Sequence, residues 1–98
     1  MYEEDKMVFC AVLVNGLTLV YLEDSDGKHW IEPCVATVHE GSKLGLRPLQ
    51  AFAESTKMEP IGEQHILCTY VPEPGLEEAY RDFLKGYLKA SRSQKTRN

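Results

Sequence analysis

A chain of 98 residues, 43% hydrophobic and 27% charged, with a net charge of −4, has room for one globular domain. No apolar run approaches the roughly 20 residues of a membrane-spanning helix, so no membrane partner is expected. The acidic start, Met1-Tyr2-Glu3-Glu4-Asp5-Lys6, is unlike a signal or transit peptide.

Three cysteines, Cys10, Cys34 and Cys68, are too few and too scattered for a disulfide scaffold. An odd count within apolar stretches predicts free thiols that behave as small hydrophobes, in a reducing cytoplasm. The charge is unevenly spread. Residues 1–75 carry five Lys/Arg against twelve Asp/Glu, and residues 76–98 carry six against three. An acidic body argues against indiscriminate nucleic-acid binding, which draws on basic side chains.

Residues 1–6 read as an N-terminal extension. Residues 7–14 (MVFCAVLV) and 17–22 (LTLVYL) flank Asn15-Gly16, a hairpin signal that predicts a type I′ turn with positive φ at both residues. The first run does not alternate, which predicts burial on both faces. Asp24-Ser25-Asp26-Gly27 is a second turn. A third strand is expected over 28–39, with Pro33 marking an edge or a bulge because it cannot donate to a ladder. After Glu40-Gly41-Ser42, a fourth strand is expected over 43–53, a polar loop over 54–57, and a short extension over 58–61. Residues 65–71 (HILCTYV) complete a mainly β domain spanning 7–71.

Pro72-Glu73-Pro74-Gly75 then stops the sheet and opens a helix over 75–90. Leu76, Ala79, Tyr80, Phe83, Leu84, Tyr87 and Leu88 repeat at i, i+3, i+4, i+7, one unbroken apolar face. That face should pack over the sheet and bury Phe83 and Leu84. The polar, basic tail 91–98 has nothing to bury and reads as disordered.

Little in the chain points to catalysis or to a cofactor. No paired C-x₂-C spacing accompanies His29, His39 and His65, so no metal is expected. A Cys34 or Cys68 thiol near a histidine is the one enzyme arrangement to weigh. Without an oxyanion hole or nucleophile elbow, the chain reads as a non-enzyme.

The wording of residues 8–84 resembles the Sm-like barrels. Val12-Leu13-Val14-Asn15-Gly16-Leu17 is similar to the first hairpin of the bacterial Sm-like RNA chaperones, and Gln64-His65-Ile66-Leu67-Cys68-Thr69-Tyr70-Val71-Pro72 to their last strand. Ile31-Glu32-Pro33-Cys34-Val35, Leu46-Arg47-Pro48, Phe52-Ala53, Ile61, His65-Ile66-Leu67, and Pro74 before a helical segment with Tyr80 resemble divergent Sm-like proteins of tailed phages of marine bacteria. Gln64 stands where the chaperones have a basic residue, and the C-terminal helix would replace their N-terminal one.

The resemblance implies a five-stranded, strongly bent antiparallel barrel with a C-terminal helix, assembled into a cyclic homo-oligomer in the cytoplasm (the host's, if phage-encoded). It implies single-stranded RNA as partner. His29 or Trp30 would stack on a base, while Lys28, Gln64 and His65 make polar contacts, stacking being worth roughly 1–3 kcal/mol per base. The alternative is a homo-oligomeric protein-interaction module that binds no RNA; a small thiol-dependent enzyme is a third class.

Overall fold

The computed structural model describes residues 6–24, 27–39, 43–50 and 57–96. Its strands are β1 (Val8–Leu13), β2 (Thr18–Glu23), β3 (Trp30–His39), β4 (Lys43–Pro48), β5 (Lys57–Met58) and β6 (Ile66–Tyr70), followed by helix α1 (Pro74–Thr96). All pairings are antiparallel, in the order β4-β3-β2-β1-β6, with β5 pairing separately with the start of β3.

The first turn is built differently from its prediction. Leu13 accepts from the Gly16 N–H (2.9 Å) and donates its own N–H to Leu17 (2.8 Å), while the Asn15 side chain accepts from the Leu17 N–H (3.0 Å). Only Gly16 has positive φ there, 92°. This is the three-residue loop of a type I turn closed by a left-handed glycine, not a type I′ turn. Asn15 can cap the loop from an ordinary backbone conformation.

Both faces of β1 are used. Val8 and Cys10 join Val20, Leu22, Cys34, Tyr80 and Leu84 in one buried cluster. Ala11 and Leu13 join Leu19, Tyr21, Trp30 and Val35 in another, with Met58, Ile61 and Ile66 packed against it. The helix covers the first face and the 58–66 segment covers the second. An uninterrupted apolar strand is the sequence form of this two-sided burial.

Pro33 lies in a bulge, as its lack of an N–H requires. Val20 pairs with Cys34 and Leu22 with Ile31, so two residues of β3 oppose Tyr21 alone. Glu32 takes a left-handed φ of 53°. The extra residue resets the alternation. Ile31 and Cys34 therefore share the helix-side face, and Trp30 and Val35 share the other. A bulge also frees backbone carbonyls. The buried Tyr80 hydroxyl donates to the Glu32 carbonyl at 2.7 Å and lies 3.4 Å from that of Ile31.

Several expectations are corrected. Among the described residues there are six strands rather than five, and their sheet is not closed into a barrel: β4 and β6 are its two edges. Leu44, Tyr70, Val71, Leu76 and Ala79 line a groove of about 780 Å³ between those edges and the helix. The fourth strand ends at Pro48, followed by a turn at Leu49–Gln50. Its expected continuation over 51–53, the loop 54–56 and the turn 40–42 lie outside the described residues. Lys57, expected in that loop, is in β5.

Leu84 is fully buried but Phe83 only half-buried. The helix continues to Thr96, so most of the tail expected to be disordered is helical backbone. With no Gly or Pro between Tyr87 and Thr96, propagating a helix is much easier than starting one. Arg81 ties the helix to the N-terminal stretch, donating to the Lys6 carbonyl (2.7 Å) and to Glu77 (3.1 Å).

Candidate nucleic-acid interface

Lys28, His29 and Trp30 enter β3 from the β2–β3 turn, and one carboxylate shapes that turn. Asp24 Oδ1 accepts from the backbone N–H groups of Lys28 (3.2 Å) and His29 (3.3 Å). The Asp24 carbonyl accepts from Gly27 (2.9 Å), which has a φ of 70°. An aspartate opening a turn commonly does this, because its short side chain reaches backbone donors a few residues ahead. Asp24 Oδ2 lies 3.2 Å from His29 Nδ1 and 3.7 Å from Lys57 Nζ on β5. The carboxylate is thus enclosed by Lys57 and His29 and orients the imidazole, whose side chain remains 35% exposed.

Trp30 is not available for stacking on a base. It is 3% exposed, and Tyr21 covers its face with ring centroids 4.0 Å apart and planes 11° from parallel. Phe9 extends the aromatic row to β1, 6.2 Å from Tyr21. Because His29 precedes β3 and Trp30 begins it, neighbouring side chains part to opposite sides. The apolar one joins the core. Burial also pushes the Tyr21 phenol up to about 12, helped by the nearby Glu23 carboxylate.

Gln64 and His65 lie exposed in a single 3-10 turn (Glu63–His65) before β6. His65 donates its N–H to the Gly62 carbonyl (2.9 Å), and its own carbonyl accepts from Val14 (2.9 Å) at the first hairpin. Val8 pairs with Leu22 at one end of β1, and Leu13 pairs with Ile66 at the other. Lys28–His29 and Gln64–His65 therefore belong to opposite ends of the hairpin, roughly 17 Å apart along the strand. The 57–66 segment runs between them, anchored by Met58, Ile61 and Ile66. The five nominated residues form two stations and a core tryptophan, not one pocket.

Sequence reasoning missed Asp24 as an organiser and Lys57 altogether. The Asp-x-x-Gly turn carries a signal for Asp24. Nothing local marks Lys57, which β5–β3 pairing brings to the turn.

The cysteines divide. Cys10 and Cys34 are buried, whereas Cys68 is exposed on β6, which corrects the expectation of three core thiols. Cys68 lies beyond the last inner strand, on the sheet's edge. Burial, with the Glu32 charge beside it, pushes the Cys34 thiol up to about 12, and burial raises Cys10. A thiol held protonated is a poor nucleophile. Among the described residues, no group of three or more His, Cys, Asp or Glu could hold a metal ion. No helix among them is long and apolar enough to cross a membrane.

Both edge strands carry apolar side chains in the open: Leu44 on β4, and Leu67, Tyr70 and the adjoining Val71 at β6. Protein-family models, curated proteins and solved structures were all compared with this chain, and none matches it.

Proposed function

We propose that this chain is an Sm-like protomer that assembles head-to-tail through β4 and β6 into a ring and binds single-stranded RNA. The observation that carries the reading is the strand order. The last strand returns beside the first, so one chain offers two different unpaired edges. An exposed edge is a template for another strand. Two unlike edges favour a heterologous contact, which closes into a ring when the rotation permits. The exposed Leu44, Leu67, Tyr70 and Val71 at those edges would gain cover in such a contact. In the ring, the sheet and its neighbours would supply the barrel closure that one chain lacks.

For RNA, the support is the oriented His29 ring with Lys28 and Lys57 around Asp24, together with Gln64 and His65 in the exposed turn. His29, not Trp30, is the stacking group in this proposal. The exposed apolar edge residues equally favour a second reading, a ring that binds protein rather than RNA.

Light scattering should report a mass several times 11.1 kDa, and Leu67→Lys should lower it. A monodisperse wild-type monomer at micromolar concentration overturns the ring. Short uridine-rich RNA should raise fluorescence anisotropy, with affinity falling steeply as salt increases. An assembled ring that binds no RNA at low salt leaves the protein-interaction reading.

A further inference from the structure

The two oxygens of Asp24 divide their work. Oδ1 accepts from the backbone N–H groups of Lys28 and His29, while Oδ2 faces His29 Nδ1 at 3.2 Å and Lys57 Nζ at 3.7 Å. An ionised carboxylate can only accept. In the neutral imidazole Nδ1 therefore carries the proton, and Nε2 is left with a bare lone pair. The Asp24 side chain is 12% exposed and that of His29 35%. One edge of the ring is thus turned in on a sheltered carboxylate, and the edge bearing Nε2 points away from it. Lys57, 52% exposed, brings an ammonium to the same oxygen. A hydrogen-bond acceptor and a donor stand side by side, both tethered to Asp24 Oδ2.

We infer that Asp24 is a positioning residue that makes His29 a base-reading acceptor, so that this turn selects the keto bases uracil and guanine over cytosine and adenine. The inference rests on the RNA reading above for its ligand and adds which base edge is read. Single-stranded bases are open to reading on their Watson–Crick edges. There uracil and guanine each present a ring N–H beside a carbonyl, whereas cytosine and adenine present a bare ring nitrogen beside an amino group. The N–H of a keto base meets Nε2, and its carbonyl meets Lys57. Against cytosine, two lone pairs confront each other at Nε2 and two donors at Lys57. Edge and face are different surfaces of one ring, so a base stacked on His29 leaves Nε2 to its neighbour in the strand.

The tautomer is testable without RNA. A long-range proton–nitrogen NMR spectrum of the full chain is recorded at about pH 8.5, where an ordinary imidazole is neutral. With His29→Ala identifying the signals, it should show a protonated Nδ1 and a bare Nε2. Asp24→Asn changes the group facing Nδ1. Its amide oxygen stays with the two backbone N–H groups, so its NH2 donates to Nδ1 and the imidazole proton moves to Nε2. Circular dichroism checks that the variant folds. Fluorescein-labelled oligouridine and oligocytidine then compare two pyrimidines of equal size. Wild type should prefer oligouridine by about 5- to 100-fold. Asp24→Asn should lose or reverse that preference, because Nε2 now donates to cytosine N3.

Wild-type His29 protonated at Nε2 would overturn the inference whatever binds. Equal affinity of the wild type for the two oligonucleotides overturns it while leaving RNA binding standing. A folded Asp24→Asn protein that keeps the wild-type preference removes Asp24 from the role. Wild-type protein that binds neither oligonucleotide overturns the RNA reading and the base selection together.

Discussion

At Glu32 a side chain with a Cβ occupies left-handed backbone, a conformation that costs roughly 1–2 kcal/mol for an L residue. Its carbonyl accepts from the Tyr80 phenol at 2.7 Å and from the Cys34 thiol at 3.6 Å. Tyr80→Phe leaves the Glu32 carbonyl without that donor in a buried place and should destabilise the protein by about 1–3 kcal/mol in chemical denaturation. Glu32→Gly relieves the conformational cost and should melt at or above wild type, whereas the β-branched Glu32→Val should melt lower. Cys34 beside this bulge titrates at about 12 against an ordinary 9.0. Its raised value makes the sign plain. Below 9 the thiol is protonated in both states and stability is fully present; above 9 the unfolded chain loses the proton first and gains. Stability should therefore fall between pH 9 and 12, and Cys34→Ala should flatten that decline. With a thiol reagent near neutral pH, Cys68 should react in the native protein, and Cys10 and Cys34 only after unfolding.

Among the elements, the helix shows how periodicity and burial differ. From Leu76 to Leu84 its repeat identifies the packed face but does not rank the residues on it; the side chains of Tyr87 and Leu88 lie outside the described residues. Leu84 is fully buried and Phe83 is not. Leu84→Ala should cost about 2–5 kcal/mol, and Phe83→Ala less than the roughly 3–5 kcal/mol of a fully buried phenylalanine. Thermal melts of the two variants at matched concentration check the order. The hairpin carries a second element-scale test. With φ of 92° at Gly16 and nothing within 4 Å of where a Cβ would stand, Gly16→Ala meets strain without a clash. It should lose about 1 kcal/mol from backbone conformation alone, measured as a shift in the denaturation midpoint.

For the molecule as a whole, stability resides in two clusters on either side of one sheet, and neither extends past Leu84 among the described residues. Removing residues 91–98 should leave the melting temperature nearly unchanged, measured by thermal denaturation at matched concentration. Each core cluster is small, as expected for a chain of this length. Covering the open edges by assembly would add burial that a single chain cannot supply.

The strand order along the chain, the terminal helix and its packed face were all legible in local signals. Doubly apolar β1, Asn15-Gly16, Pro33 and the Leu76–Leu88 repeat each encode a near-neighbour constraint. At the candidate site the sequence picked out the turn holding Lys28 and His29, because Asp24 and Gly27 mark it. Tertiary structure decided the rest. Trp30 joined the core because both faces of the sheet are covered, and the bulge in β3 put it on the same face as Val35, where Tyr21 stacks on it. Lys57 reached Asp24 because β5 pairs with β3, a register that neither residue's neighbours announce. β4 and β6 stayed separate edges, with Leu76 and Ala79 of the helix lining the open groove between them, an arrangement of distant segments that no local pattern expresses.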